Sequence, residues 1–239
     1  FIFSMFHHEQ NPEFLSYINE QNIIAIEMEA IQNEFGERYL DATNLTGEQG
    51  AIYTINLAEK SPKDLDVLVL GYGRVATGAI EVFNKLGSKV KILRKAEYQN
   101  IEHFLEGKDV LVNGITWPKT RRERKERVVT RDMLGLMNPG GIILDLSVDF
   151  PSPIETMQPT QLNSPWYEIN GIKHIAIYGY PGLAPLSCVS TYNDQIQPLA
   201  MEIIENYKKI KRRETEKIPK HLANAIIYPK VQEQLYEQP

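Results

Sequence analysis

The residues from which a chemical reading can start are the small ones in "VLVLGYGRVATG" (67–78). Gly71-x-Gly73-x-x-Ala76 follows an apolar run that reads as a strand and opens a segment with helical spacing, the setting that a dinucleotide-binding fingerprint requires. The first glycine permits a tight turn, the second lets backbone approach a pyrophosphate, and the third small residue lets helix and strand pack closely. A helix opening at Arg74 would offer unpaired N–H groups and a positive dipole end to the phosphates. The bland alternative is a glycine-rich turn with no ligand. The next strand, in "KVKILRKAEYQN" (89–100), ends on Arg94 and Lys95. An acid at that place would accept from the ribose 2′-hydroxyl and repel a 2′-phosphate, whereas an arginine makes a charge-assisted and even bidentate contact with the phosphate. The expected cofactor is therefore NADP(H) rather than NAD(H), against the reading of two cations exposed on a loop. The nearest following acid is Glu97.

Those residues need a sheet behind them. From Asp66 to about Tyr180 the chain alternates strand-like runs, "VLVL", "KVKIL", "DVLVNGI", "IILDLSVD" and "GIKHIAIYG", with helical segments, "RVATGAIEVFNKL", "NIEHFLEG" and "TRDMLGLM". Such alternation predicts an α/β fold, a doubly wound parallel sheet of the Rossmann kind with helices on both faces. Before it, residues 1–42 read as strand, helix, strand, and "NLTGEQGAIYTINLAEK" as a helix that Thr46 N-caps. After it, a long helix runs from about Pro185 through "STYNDQIQPLAMEIIENYKKIKRRE", with Pro198 as the expected kink. The division expected is 1–60 as part of a second, discontinuous substrate domain, 61–185 as the dinucleotide-binding domain, and 186–239 as a helix returning to the substrate domain and a tail.

Composition narrows the field. A chain of 239 residues with net charge −5 gives no electrostatic reason to expect nucleic acid as a partner. "PKTRRERKER" (118–127) is basic but alternates with glutamates and lacks interleaved aromatics, so it reads as a solvated loop or helix face. The single cysteine, Cys188, excludes an internal disulfide and fits a reducing, cytoplasmic setting. No apolar run approaches the length of a membrane span. "FIFSMFHHEQ" begins without Met or a basic leader and reads like the middle of a fold, so the substrate domain is expected to be N-terminally incomplete. His7-His8-Glu9-Gln10 lacks the spacing of a zinc site, and no metal is expected.

The order of these motifs resembles the alanine dehydrogenase and pyridine nucleotide transhydrogenase superfamily over roughly residues 1–205. The resemblance rests on "MFHH", "NLTGEQGAIY", Arg94-Lys95, "VLVNGI", "LDLSVD" followed by "IET", and "YPGLAP". Within the superfamily it points most to the N5-(carboxyethyl)ornithine synthases, NADPH-dependent opine-type dehydrogenases. It implies an oxidoreductase acting on an amino acid, or on the imine of a 2-oxo acid and an amine, with hydride passing to or from a nicotinamide. It also implies residue roles. His7 matches a histidine that hydrogen-bonds the substrate, work that suits an imidazole because its pKa lies near neutrality; His8 is the adjacent competitor. Asp149 matches an aspartate beside the nicotinamide, able to hold an ammonium or iminium or to activate water, with Asp145 as the less favoured carboxylate. Thr46 matches a serine that touches cofactor phosphate, and Ile115 and Leu146 match apolar or backbone contacts along the cofactor. Members are often oligomers, which by analogy alone predicts a homo-oligomer.

Two departures fall on the substrate side. Phe150-Pro151 stands where the family has a glycine pair, and Gly179-Tyr180-Pro181 where it has an asparagine before its "MPG" motif. Both put alanine itself in doubt as the substrate. The family's carboxylate-binding arginine and lysine would lie upstream of Phe1. Two other readings remain at this point, a transhydrogenase-like nucleotide-binding subunit, which would bind NAD(H), and a dehydrogenase-like protein without turnover.

Overall fold

The structure is a computed structural model that describes residues 1–6, 8 and 11–230. In chain order it begins with β1 (Ile2–Ser4), α1 (Pro12–Glu20), β2 (Ala25–Glu27) and α2 (Thr43–Leu57). There follow β3 (Asp66–Leu70), α3 (Arg74–Lys85), β4 (Lys89–Leu93), α4 (Glu102–Leu105), β5 (Val110–Asn113) and α5 (Lys119–Glu123). The last are β6 (Ile142–Asp145), β7 (Tyr167–Ile169), β8 (Ile172–Ile175), α6 (Pro185–Lys211), α7 (Lys220–Ala223) and β9 (Ile226–Ile227). Two compact units result, one of Phe1–Asp41 with Val189–Pro239 and one of Ala42–Cys188.

The larger unit is built on a six-stranded sheet of order β4-β3-β5-β6-β8-β7. β4, β3, β5, β6 and β8 are parallel, and β7 joins antiparallel at the edge. The strands alternate between two buried faces, as period-two geometry requires. Val67, Val69, Val110 and Val112 face Ala76, Ala79 and Phe83 of α3 and Ala51 of α2. Leu68, Leu70 and Leu111 face Ile101, Leu105, Trp117, Leu134 and Met157 on the other side. This is the doubly wound α/β arrangement. The "TRDMLGLM" segment forms only a 3₁₀ turn, Asp132–Leu136, and β7, whose "YEI" is too short for a pattern, was not legible.

The unit boundary differs from the 61–185 expected for the nucleotide-binding part, because α2 packs on α3 at backbone distance. A Cβ added to Gly47 would fall 1.9 Å from the Val75 carbonyl oxygen, and one on Gly78 would fall 2.1 Å from that of Asn44. Helices so close belong to one packed body, and side chains there would force them apart at a typical cost of about 1–3 kcal/mol.

The smaller unit has a three-stranded sheet, β1-β2-β9, with β2 parallel to β1 and antiparallel to β9. Asn11 N-caps α1 by accepting from the Phe14 N–H. Its core gathers Ile26, Ile31 and Leu40 with Leu199 and Ile210 of α6 and Leu222 of α7. Thus part of the tail that the sequence left unplaced supplies a strand and a helix. α6 runs from the larger unit into this one and passes through Pro198.

One buried polar group ties the sheet to the loop before β7. His174 of β8 is fully buried, with Nδ1 2.9 Å from the Ile172 carbonyl and Nε2 2.7 Å from the Thr156 hydroxyl. A carbonyl only accepts, so Nδ1 carries the proton and Nε2 accepts from Thr156. Burial holds the His174 pKa below its ordinary 6.5. A depressed folded-state value means that the unfolded chain binds the proton more readily. This contribution to stability is complete above about pH 6.5 and declines as pH falls toward the folded-state value. Urea unfolding at pH 7.5 and 5.5 should therefore show a larger acid loss in wild type than in His174→Gln; equal losses would contradict the assignment.

Candidate functional site

The glycine turn sits where the strand order reverses, since β3 has β4 on one side and β5 on the other. Open α/β sheets bind ligands outside the carboxyl ends of strands at such a point. Gly71 closes β3 with φ +87° and donates its N–H to the Leu93 carbonyl at 3.0 Å. A Cβ there would lie 2.6 Å from Cγ2 of Ile115, so both conformation and space demand glycine. Gly73 is the N-cap of α3, no side chain caps the helix, and a Cβ on it would meet nothing within 4 Å. The backbone at Gly73 therefore faces open space beside the first turn of a twelve-residue helix that starts at the exposed Arg74. Ala76 is fully buried, and a Cβ on Gly114 would come within 2.7 Å of its own Cβ. Helix α3 thus lies against the exit of β5 as well as β3. An open, uncapped helix N-terminus behind a glycine turn fits the pyrophosphate of a dinucleotide.

Arg94 and Lys95 follow β4, one strand over from Gly71, and both side chains are exposed. The carboxylate of Glu97 accepts from the Arg94 main-chain N–H at 2.8 Å. The nearest acid is thus engaged in closing the turn after β4. Across the crevice, Ile115 rests against the glycine turn. The end of β5 and the segment after it hold three buried side-chain atoms without a hydrogen-bond partner, Asn113 Oδ1, Trp117 Nε1 and Arg122 Nε. Buried polar atoms are almost always paired in folded proteins, so these three stand out.

The two aspartates of "LDLSVD" divide cleanly. Asp145 is fully buried; its Oδ1 accepts from the Ser147 N–H and hydroxyl and the Val148 N–H, and its Oδ2 from the Ser152 hydroxyl, all at 2.9–3.1 Å. Burial pushes its pKa up while these donors pull it down. It organises a turn in which Val148 takes φ +52°, a conformation that costs a β-branched residue on the order of 1–3 kcal/mol. Asp149 emerges from that turn with its side chain a quarter exposed. Its Oδ2 accepts from the Trp117 N–H at 2.8 Å, and its Oδ1 lies 3.8 Å from Nη1 of Arg122, which also approaches the Phe150 carbonyl at 3.5 Å. A partly exposed pair at that distance contributes at most about 1 kcal/mol, so orientation is its main effect. Tyr180, fully buried, donates its hydroxyl to the Asp145 carbonyl at 2.8 Å. The departure from the family at this residue is an anchor for the end of β6.

One expectation fails at the start of α2. Thr46 does not cap α2: the helix starts at Thr43 after Ala42, and the Thr46 hydroxyl donates back to the Ala42 carbonyl at 3.2 Å. Leu146 turns its side chain into the core toward α2, where a Cβ on Gly50 would strike its Cδ2 at 2.5 Å, so only its backbone can face a cofactor. In the smaller unit, His8 is held by Glu27, whose Oε1 accepts from the His8 N–H at 3.0 Å and whose Oε2 lies 2.6 Å from its Nδ1. His7 lies outside the described residues. What sequence reading missed were Asp145 as organiser, Tyr180 as anchor and Trp117 as partner of Asp149. Only the first carried a signal, an aspartate two residues before a serine, as in turns where a side chain caps its own backbone.

The family model described as "Alanine dehydrogenase/PNT, C-terminal domain" matches residues 93–228, more than half of the chain. The chain belongs to this family. Alanine dehydrogenase 1 of Staphylococcus aureus is a similar curated protein, 23% identical over an alignment covering 77% of this chain and 59% of its own. The chain thus spans well under two thirds of the length of the curated relatives it matches. Among solved structures, an L-alanine dehydrogenase superposes with a TM-score of 0.80 at 20% identity, covering 95% of this chain and 70% of that one. A transhydrogenase from Sinorhizobium meliloti gives 0.69 at 18% identity, covering 81% and 65%. These two likenesses concern the fold. Among the described residues, no helix is long and apolar enough to cross a membrane.

The two glycines of the turn should respond differently to substitution. Gly71→Ala is strained at φ +87° and clashes with Ile115, and should lower stability by about 1–3 kcal/mol. Gly73→Val has extended backbone and open space, and should leave stability within about 1 kcal/mol of wild type while blocking dinucleotide binding. Urea unfolding and cofactor titration together check both.

Proposed function

We propose that the larger unit binds a nicotinamide dinucleotide across the β3 switch point, NADP(H) in preference to NAD(H). The chain would then serve an oxidoreductase that acts on an amino acid or on the imine of a 2-oxo acid and an amine. The observation that carries the reading is the uncapped α3 N-terminus behind Gly71 and Gly73, with Arg94 and Lys95 at the end of the neighbouring strand. Gly73 and the first turn of α3 hold the pyrophosphate, Ile115 covers the turn, and Arg94 with Lys95 meets the 2′-phosphate. A bound nicotinamide supplies the hydride acceptor or donor.

Asp149 orients the substrate nitrogen or a water molecule. Its position supports this role, because Asp145 spends both oxygens on its own turn whereas Asp149 stays partly exposed. His7 carries the proton; its neighbour His8 is engaged by Glu27. A 2′-phosphate preference favours the reductive joining of a 2-oxo acid and an amine, as in the N5-(carboxyethyl)ornithine synthases, over oxidation of alanine.

Two experiments test this reading. Arg94→Asp should weaken NADPH binding by roughly ten- to a hundredfold and leave NADH binding equal or better, because a carboxylate there accepts from ribose hydroxyls. Fluorescence titration of both cofactors decides the matter, and a wild type that binds them equally, unchanged by the substitution, would mean that the cations are only surface charge. For the chemistry, NADPH oxidation is assayed with a panel of 2-oxo acids, with and without amines. Asp149→Asn and His7→Gln should each cut turnover by roughly 10²–10⁴ with cofactor affinity nearly intact, while His8→Ala does much less. Tight NADPH binding by wild type with no turnover on any pair would instead favour a nucleotide-carrying role.

A further inference from the structure

A cavity of about 180 Å³ is lined by Lys95 and Tyr98 from beyond β4 and by Ile115, Trp117, Pro118 and Arg121 from beyond β5. Ile115 also rests on the Gly71 turn, so the cavity bridges the strand exits on both sides of β3. Whole small-molecule sites usually enclose about 300–1,000 Å³, so this space suits one part of a larger ligand. Its aromatic and aliphatic walls suit a planar ring, and its two cations suit an anionic substituent on that ring's sugar. The indole Nε1 of Trp117 adds a buried donor without a partner.

The basic segment behind this wall is not uniformly solvated. Its four arginines sort by direction, and Arg127 donates from Nη1 to the Glu126 carbonyl at 3.0 Å. Arg122 is turned toward Asp149 and the Phe150 carbonyl. Arg124 is two-thirds exposed and pairs with Glu126 at 3.0 Å. Arg121 alone of the four lines the cavity, with its Cζ 5.0 Å from the Trp117 ring centroid and its Nε in a looser 3.6 Å pair with Glu126. Stacking on an indole fixes a guanidinium plane and weakens its competition for water, which prepares it for an incoming oxyanion.

We propose that Arg121 is a specificity-determining residue, a third cation that grips the 2′-phosphate of the cofactor from the β5 side while Arg94 and Lys95 approach from the β4 side. The inference rests on the NADP(H) reading above. It assigns to the segment 118–127 a part in recognition that its sequence pattern did not suggest.

The test needs no turnover. Calorimetric titration of the chain with adenosine 2′,5′-bisphosphate and with adenosine 5′-monophosphate separates the 2′-phosphate from the rest of the nucleotide half. Wild type should bind the bisphosphate at least about tenfold more tightly. Arg121→Ala and Arg121→Gln should lose about tenfold on the bisphosphate and less than twofold on the monophosphate, Arg121→Lys should recover part of the loss, and Arg124→Ala should match wild type. Circular dichroism melts establish that the variants remain folded. Arg121 variants with unchanged selectivity would overturn the assignment while leaving the NADP(H) reading in place, provided that Arg94→Asp still abolishes the preference. Equal losses on both ligands would also overturn it, placing Arg121 at the ring or in the fold. A wild type without preference would remove the NADP(H) reading and this inference with it.

Discussion

Backbone contact at the β3 exit is the constraint on which the rest of the larger unit depends. Gly71, Gly114 and Ala76 leave no room for anything larger, since the Cβ atoms added to the glycines would lie 2.6–2.7 Å from Ile115 and Ala76. That closeness lets α3 rise directly from the strand end, so its first N–H groups point over the sheet instead of into a side chain. The same economy recurs one layer out, where Gly47 and Gly78 let α2 lie on α3. Because α2 braces α3 at backbone distance, a shift of α3 would have to move both, and the turn is held from two directions.

The second constraint is electrostatic and lies at the end of β6. A fully buried carboxylate is tolerated only when its oxygens are saturated, and Asp145 meets that condition with donors from Ser147, Val148 and Ser152. Those bonds hold Val148 in a left-handed conformation that it would not adopt alone. The strain is small beside the cost of leaving a buried carboxylate unpaired, so the turn keeps its shape. Asp149 is presented by that turn and steadied by the Trp117 N–H. Two carboxylates four residues apart thus divide into one that builds and one that remains available.

Much of this architecture was legible because it rests on local patterns. The β3, α3 and β4 boundaries follow from apolar periodicity and from Gly71 and Gly87, and the parallel sheet follows from the alternation of elements. The failures share a physical cause. Thr46 looked like a cap because a threonine hydroxyl can accept from the open N–H groups of a helix start, but the chain turned helical a residue earlier than "NLTG" and the hydroxyl fell inside the first turn. The pairings of Trp117 and Tyr180 with the β6 end span 32 and 35 residues of sequence, and no local rule encodes them. Tertiary contacts between loops are what a single sequence hides best.

The same limitation explains why the basic segment was hard to read. A run of alternating arginine and glutamate is ordinarily solvated, and a chain of net charge −5 gives no general pull toward anions. Local placement changes the outcome. Once the exit of β5 brings Trp117 and Arg121 across from Lys95, one small cavity is lined by two cations whatever the sign of the whole. Trp117 joins the two halves of the site, since its ring faces Arg121 while its main-chain N–H holds Asp149. Displacing the segment after β5 would therefore disturb the carboxylate as well as the cation. A single turn of chain thus steadies both side chains.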